Sequence, residues 1–158
     1  MLLLPKAASG FIRPSRESDL EELMALWQTS TTFAHPFIHA DYWQQSAQQV
    51  RDSYLPRAQT WVYQQAGRIV GFISVLDQRY LGALFVAHAR HGHGVGHALM
   101  AYVQQRYRWL ALEVYQQNLR ACAFYRKHGF QPVERLYNQE TAAYTLIMHW
   151  SANASSSP

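Results

Sequence analysis

Three glycines between an apolar segment and a helical pattern are the feature that most constrains how this chain folds. Residues 81–86 are apolar and typical of a short buried strand, and Gly92, Gly94 and Gly96 follow before a helical pattern that begins near Val95. Glycine allows positive φ and lets the backbone approach a ligand closely. The first turn of a helix presents unpaired N–H groups at the positive end of its dipole. A strand, a glycine loop and a helix start in this order predict a cradle for phosphate groups.

Two common phosphate-binding loops do not fit this sequence. A Walker A loop ends in Gly-Lys-Ser/Thr, whereas Gly96 is followed by His97 and Ala98. A dinucleotide-binding loop places its third glycine three positions after the second, but Gly94 and Gly96 are two positions apart and lie past the middle of the chain. We therefore expect neither nucleoside triphosphate hydrolysis nor dinucleotide binding.

A second motif, NLRACAFYRKHGF at residues 118–130, follows the glycine loop. The two together resemble the signatures of the GNAT superfamily of N-acetyltransferases, which are Gln/Arg-x-x-Gly-x-Gly/Ala and Asn-x-x-Ala-x-x-Phe-Tyr-x-Lys-x-Gly-Phe. Residues 33–43 and 112–116 further resemble the bacterial YiaC-like lysine acetyltransferases, and the similarity covers residues 12–150. One departure is His91, which stands where the family has Gln or Arg and predicts a weaker or pH-dependent contact there.

The resemblance implies an α/β (α+β) fold with a mixed, mostly antiparallel sheet of about seven strands and about four flanking helices. It also implies a central parallel pair, one strand ending near Val86 and the other starting near Leu110, whose strands separate and open a slot. The apolar patterns predict strands at residues 11–13, 60–64, 69–76, 80–87, 110–115, 131–137 and 143–150. They predict helices at about residues 18–30, 41–56, 95–107 and 118–128.

Polar residues and glycine mark the expected helix ends. Ser18 with Glu21 fits a capping box, and Asp41 can cap the second helix. Asn118 fits the N-cap of the last helix and Gly129 fits its C-terminal end.

Composition and net charge limit the number of domains and the kinds of partner that we expect. The 158 residues are 49% apolar, which suits one domain at residues 11–150 with a loose leader at 1–10 and a disordered tail at 151–158. The net charge of +4 favours anionic ligands, but without long Lys/Arg runs we expect no nucleic-acid partner. Cys122 is the single cysteine, so no intramolecular disulfide can form. Without a recognisable signal peptide or membrane span, a cytoplasmic protein is expected, and a homodimer stays open.

The activity implied by the resemblance is transfer of an acetyl group from acetyl-CoA to a primary amine, by direct attack in a ternary complex. The pantetheine arm would pair with a strand edge and the pyrophosphate would bind loop amides. The residues expected to bind the cofactor are Leu84, Phe85, Val86, His91, Gly92, His93, Gly94, Val95, Gly96, His97 and Asn118. We predict no metal site, because no cysteine or paired carboxylate accompanies the loop histidines.

The resemblance assigns Tyr125 as the acid that protonates the leaving thiolate, although a tyrosine there could also be an ordinary core aromatic. Glu113 is the first candidate for the base, followed by Tyr115 or a histidine such as His35. Glu113 could instead be a solvated or ion-paired strand residue. The expected acceptor-binding residues are Phe33, His35, Phe37, Tyr80 and Tyr115, each of which could instead serve packing alone.

A protein lysine is the leading acceptor, and the alternative is a small-molecule amine such as a polyamine. A different class of function, a non-catalytic CoA-binding sensor or interaction module, also fits the binding motif.

Overall fold

The structure is a computed structural model that describes residues 9–153. Seven strands form one sheet in the order β1-β2-β3-β4-β5-β7-β6, and every neighbouring pair is antiparallel except β4 and β5. The strands are β1 (Gly10–Pro14), β2 (Gln59–Gln65), β3 (Arg68–Leu76), β4 (Tyr80–Val86), β5 (Trp109–Tyr115), β6 (Gln131–Asn138) and β7 (Ala143–Ser151). The predicted mixed sheet with a central parallel pair is confirmed.

The helices are α1 (Leu20–Ala34), α2 (Ala40–Gln49), the short α3 (Leu55–Arg57), α4 (Val95–Gln104) and α5 (Leu119–Lys127). A π-helical turn, Val50–Tyr54, joins α2 to α3 without a break. Short 3₁₀ turns lie at Glu17–Asp19 and His88–Arg90. No helix within residues 9–153 has the length and apolarity needed to span a membrane.

The predicted leader at residues 1–10 and the predicted tail at residues 151–158 each overlap a strand by one residue. Gly10 begins β1 and Ser151 ends β7, so these two positions are part of strands. Residues 1–8 of the predicted leader and 154–158 of the predicted tail lie outside the described residues.

The ends of α1 differ from the prediction. No side chain of the described residues caps α1, so the expected Ser18 cap is wrong. The Asp19 carboxylate instead accepts hydrogen bonds from the Arg16 backbone N–H (2.7 Å), at the start of the preceding 3₁₀ turn, and from the Arg13 guanidinium (2.9 and 3.1 Å). Glu21, the expected capping-box partner, bonds Arg51 instead. The helix also continues to Ala34 rather than ending near residue 30.

At α2 the expected cap is wrong by two positions, since the His39 ring nitrogen Nδ1 accepts a hydrogen bond from the Asp41 N–H (3.2 Å). At α5 the cap is confirmed. The Asn118 side chain accepts a hydrogen bond from the Ala121 N–H (3.2 Å), and Gly129 follows the helix with a φ of +93°.

Two hydrophobic clusters cover the two faces of the sheet. On one face α4 and α5 pack on the sheet, with Leu99 and Phe130 among the buried side chains. On the other face α1 packs through Met24 and its apolar neighbours. Trp61 and Val62 are adjacent on β2 and belong to opposite clusters, so this strand is buried on both faces.

The sheet opens between its two parallel strands. β4 and β5 pair only at Tyr80 and Ala111, beside a hydrogen bond from the Ala111 N–H to the Arg79 carbonyl (2.8 Å). On the other side of β4, the register shifts from Ser74–Ala83 to Val75–Leu81. This shift leaves Gly82 as the extra residue of a β-bulge, a distortion that bends a strand and increases its twist. Beyond this point the strands separate and form the predicted slot.

Candidate active site

A cleft of about 1070 Å³ enters the slot between β4 and β5. Its walls come from β4, the glycine loop, the start of α4, the end of β5 and α5, and the C-terminal half of α1 extends one side. The fold thus brings both sequence motifs to one cavity, although they are more than twenty positions apart.

The glycine loop leaves the first amides of α4 available to a ligand. Gly92 and Gly94 have φ values of +79° and +83°, and no side chain of the described residues caps the helix. The amides of Val95, Gly96 and His97 precede the first intrahelical bond of α4, which the Ala98 N–H donates to the Gly94 carbonyl (2.9 Å). Three unpaired N–H groups at the positive end of a helix suit a phosphate group.

Two other predicted amides are already bonded within the loop. The His91 N–H donates to the His88 carbonyl (3.1 Å), and the His93 N–H donates to the Arg90 carbonyl (3.3 Å). His93 also does not line the cleft. The amide surface therefore lies at Gly92 and from Gly94 onward, a shorter stretch than predicted.

The His91 side chain turns back onto the protein. Its Nε2 donates a hydrogen bond to the Val86 carbonyl (2.9 Å), while its buried Nδ1 has no partner among the described residues. Burial lowers the pKa of His91, and the neighbouring charges of Arg120 and His88 lower it further. At neutral pH the ring is therefore uncharged and ties the loop to the end of β4.

The backbone of β4 presents alternate residues to the slot. The Ala87 N–H donates to the Val70 carbonyl on β3 (2.8 Å). Because residues of a strand bond alternately to their two neighbours, Val86 and Leu84 direct their polar groups away from β3 and into the slot. Phe85 directs its backbone N–H and carbonyl toward β3, where it pairs with Phe72. The predicted strand edge is thus provided by Leu84 and Val86.

Tyr125 projects from α5 into the cleft. Burial raises the pKa of its phenol, and the nearby Cys122 and Tyr80 add to the shift. A phenol with a raised pKa keeps its proton at neutral pH, so Tyr125 is a neutral hydrogen-bond donor. Asn118 lines the same cleft while its side chain caps α5.

Glu113 lines both the cleft and a second recess. The recess, about 500 Å³, is formed by the β6–β7 hairpin and contains the carboxylates of Glu113 and Glu140. Glu113 Oε2 accepts a hydrogen bond from the Thr145 hydroxyl (2.6 Å). Among residues 9–153 no basic side chain pairs with Glu113, so the ion-paired reading of this residue does not apply.

A group of aromatic rings lies at one end of the cleft, where His35, Trp43 and Tyr115 line it and Phe37 does not. The rings of His35, Phe37 and Trp43 pack around Tyr115, with centroid distances of 5.2 Å from His35, 5.6 Å from Phe37 and 6.4 Å from Trp43. His35 Nδ1 is 2.6 Å from the Thr31 carbonyl, and burial lowers the pKa of this histidine. The sequence predicts His35, Phe37 and Tyr115 as acceptor-binding residues but not Trp43. The aromatic-rich stretch at residues 33–43 could have indicated Trp43 as well.

Two predicted acceptor residues occupy other positions. Phe33 is 58% exposed and packs on His88 of the glycine loop (4.4 Å between centroids), at the phosphate end of the cleft. Tyr80 lies at the single β4–β5 pair, where burial and then the charge of Glu113 raise the pKa of its phenol. Within residues 9–153, no group of three or more His, Cys, Asp or Glu side chains could hold a metal ion.

Comparison with known proteins defines the class of this chain. Residues 15–146 match the family model described as an acetyltransferase (GNAT) domain. The chain belongs to this family, and it is therefore an acyltransferase that takes its acetyl group from acetyl-CoA.

Two curated relatives and one solved structure are similar to this chain over most of its length. The chain is 46% identical over 139 residues to the peptidyl-lysine N-acetyltransferase YiaC of Escherichia coli K12, covering 88% of this chain and 95% of that one. It is 36% identical over 125 residues to the peptidyl-lysine N-acetyltransferase YjaB of the same strain, covering 78% and 84%. The solution structure of apo-form YjaB from Escherichia coli superposes with a TM-score of 0.77 and 31% identity, covering 90% of this chain and 97% of that one.

Proposed function

We propose that this enzyme acetylates the side-chain amine of lysine residues in proteins. The observation that carries the proposal is the position of Glu113, which lines both the cleft beside the glycine loop and a recess lined by two carboxylates. Both curated relatives reported above are named peptidyl-lysine N-acetyltransferases, which supports the same acceptor class here.

The cleft fits acetyl-CoA along its length. The pyrophosphate would bind the free amides of Val95, Gly96 and His97, where the positive end of α4 favours anions. The pantetheine arm, which contains two amide groups, would bond to Leu84 and Val86 as an added strand does. Asn118 would lie beside the arm. This arrangement places the thioester near Tyr125, at the point where β4 and β5 separate.

The recess suits a cationic acceptor. Glu113 and Glu140 are negative, and no Lys, Arg or His side chain is among the residues that line the recess. The Tyr42 hydroxyl lies 3.4 Å from the Glu140 carboxylate and connects α2 to the β6–β7 turn. Because the chain as a whole carries a net charge of +4, this acidic recess differs from the average surface and attracts an ammonium group.

The side chains have separate tasks in the reaction. Glu113 takes a proton from the lysine ammonium, and the resulting neutral amine attacks the thioester carbonyl carbon. The C–S bond then breaks, and the sulfur takes the proton of the Tyr125 phenol. The proton still carried by the new amide nitrogen restores the phenol through solvent. The products are acetyl-lysine, free CoA and the one proton that Glu113 releases.

Release of free CoA from acetyl-CoA in the presence of a lysine peptide tests this proposal. Tyr125→Phe should lower kcat about 100-fold or more, and Glu113→Gln should lower it at pH 7 but less at pH 10, where more of the amine is neutral in solution. Tyr102→Phe, which removes a phenol outside the cleft, is the control and should keep the parental rate.

The outcome also separates the other candidate functions. Turnover with polyamines but not with lysine peptides would identify a small-amine acetyltransferase. CoA binding without turnover would identify a sensor module. Mass spectrometry of bacterial lysate proteins, after incubation with enzyme and labelled acetyl-CoA, would identify the acceptor lysines. We propose the cytoplasm as the compartment, since acetyl-CoA and most lysine-bearing proteins are found there.

A further inference from the structure

One nitrogen of the buried His35 ring has no hydrogen-bond partner. The residue is only 8% exposed, and its Nδ1 lies 2.6 Å from the Thr31 carbonyl oxygen. A carbonyl oxygen can only accept a hydrogen bond, so Nδ1 carries the proton of the neutral ring and Nε2 carries the lone pair. Within residues 9–153, the hydrogen bonds of this ring all involve Nδ1, and none reaches Nε2.

This free nitrogen opens into the cleft. His35 lines the cleft, and its Nε2 is not among the unpartnered polar atoms that are cut off from solvent, whereas Nδ1 of His91 is one of them. The small accessible part of His35 therefore includes its free acceptor. Buried polar groups are normally hydrogen-bonded, so a nearly enclosed lone pair that faces a cavity calls for a ligand that donates to it.

Aromatic rings enclose the same part of the cleft. Trp43 and Tyr115 also line it, and their ring centroids lie 5.0 and 5.2 Å from that of His35. Aromatic faces attract cations, and they pack well on the methylene groups of a long side chain. Burial lowers the pKa of His35, so the ring is neutral at pH 7 and does not repel a cation. These surroundings suit an alkyl chain that ends in an ammonium group.

Glu113 lies close to this acceptor. It is two residues before Tyr115 on β5, and alternate residues of a strand share a face, so the two side chains start about 7 Å apart on the same face. Burial raises the pKa of the Tyr115 phenol, and the charge of Glu113 raises it further. A carboxylate and a neutral imidazole lone pair therefore lie at one end of the cleft, on either side of Tyr115.

We propose that His35 Nε2 accepts a hydrogen bond from the amine of the acceptor lysine and so positions it, while Glu113 takes a proton from the same nitrogen. This inference rests on the proposed function. A lysine ammonium has three N–H groups, so one can bond to His35 and another to Glu113. Trp43 and Tyr115 contact the methylene chain of the lysine. Nε2 takes no proton, so the proton balance of the reaction is unchanged.

Two substitutions at His35 separate acceptor binding from packing. Asparagine can place its amide N–H where Nδ1 lies and keep the bond to Thr31, but it has no atom at the position of Nε2. Glutamine reaches the position of Nε2 with an acceptor oxygen and gives up the bond to Thr31. A hydrogen bond to a charged group corresponds to about a 10- to 100-fold effect, so His35→Asn should raise the KM for a lysine peptide by this factor. His35→Gln should raise it much less.

The KM for acetyl-CoA should stay parental in both variants, because His35 lies at the acceptor end of the cleft. His149→Asn is the matched control, since the His149 ring packs on Trp109 (4.8 Å between centroids) outside the cleft. It should keep the parental constants for both substrates. A purely structural role for His35 predicts the opposite order, with the greater loss in His35→Gln.

Nitrogen NMR of ¹⁵N-labelled histidine rings observes the bond directly. The Nε2 resonance of His35, identified by its absence from His35→Asn, should shift when a lysine peptide binds to enzyme saturated with free CoA, a complex that cannot react. The same peptide with norleucine, which lacks the ammonium group, should not shift it.

An unmoved Nε2 resonance, an equal shift with the norleucine peptide, a parental KM in His35→Asn, or a greater loss in His35→Gln than in His35→Asn would each overturn the assignment. A parent that acetylates no lysine peptide would instead overturn the proposed function, so the two failures are separable.

Discussion

A single buried histidine, His35, contributes both to packing and to the pH dependence of stability. His35 stacks on the aromatic group at the far end of the cleft and hydrogen-bonds through Nδ1 to the Thr31 carbonyl. This carbonyl is an acceptor, so Nδ1 carries the proton of the neutral ring. The native environment therefore favours neutral His35, and burial lowers its pKa.

This lowered pKa predicts loss of stability in acid. Unfolded His35 binds a proton near its ordinary pKa of about 6.5, whereas the native residue binds one only at lower pH. The unfolded state thus holds more protons as the pH falls below about 6.5, and the free energy of unfolding decreases. The contribution is complete above the unfolded pKa and is lost as the pH falls through the native pKa.

Urea unfolding between pH 7.5 and pH 5 measures this effect. As the pH falls, the free energy of unfolding should decrease less in His35→Gln than in the parent. The pH dependence that remains comes from His91 and His128, whose pKa values are also lowered mainly by burial. His93→Gln replaces an exposed histidine and should retain the parental slope. Equal slopes in the parent and His35→Gln would contradict this explanation.

Individual residue roles could be predicted only where a motif fixes them. Asn118 and Tyr125 were predicted from the second signature, and the structure places them at the α5 cap and in the cleft. Phe33 and Trp43 were misjudged because aromatic side chains in one short stretch can point in different directions once a helix extends through it. The contact between Tyr54 and Gly82 has no sequence signal, since the two residues are distant in sequence.

At the scale of the element, the loop and the first turn of α4 use their glycines for different reasons. Gly94 has a φ of +83° and an added Cβ atom would meet nothing within 4 Å, so the need there is conformational. Gly96 lies in the helix with ordinary φ, and an added Cβ atom would be 3.5 Å from Phe124, which is normal van der Waals contact.

This difference predicts opposite effects of alanine at the two positions. Gly96→Ala should stabilise the protein by about 0.5–1 kcal/mol, because alanine favours a helix, and should keep CoA binding within a few-fold. Gly94→Ala should destabilise it by about 1 kcal/mol or more and weaken CoA binding, because the α4 amides would lose their orientation. Thermal unfolding and calorimetric titration measure both quantities, and a stabilised Gly94→Ala would contradict this account.

Element boundaries were predicted less well than element types. All seven strands were predicted within about two residues, because alternating apolar patterns between turns are distinctive. The 3₁₀ turn before α1 was missed because the Asp19 carboxylate that closes it is also bound by Arg13, which lies on β1. The π-helical turn at Val50–Tyr54 was missed because one extra residue in a helix barely alters the apolar pattern.

At the scale of the whole molecule, the sheet consists of two groups of strands with a narrow connection. β1 to β4 form one group and β5 to β7 the other, and a single residue pair joins the groups through the sheet. The connecting helix α4 packs on β2, β3 and β4, which all belong to the first group. CoA should therefore stabilise the open sheet by adding a partner to the free edge of β4.

Hydrogen exchange tests this expectation. CoA should protect the amides of Leu84, Val86 and the first turn of α4, and at 100 times its Kd it should raise the free energy of unfolding by about 2.7 kcal/mol. ADP, which has a pyrophosphate but no pantetheine arm, should protect only the first turn of α4. Equal protection of Leu84 by ADP would show that the arm does not bind β4.

The fit between the Tyr54 ring and Gly82 also has an evolutionary consequence. Because a side chain at position 82 would occupy the same space as the phenol, neither position can drift independently. Lineages that acquire a larger residue at 82 must replace tyrosine at 54, and with it they give up the hydroxyl at the β4 bulge. Paired substitution at these two sites is therefore expected among relatives of this chain.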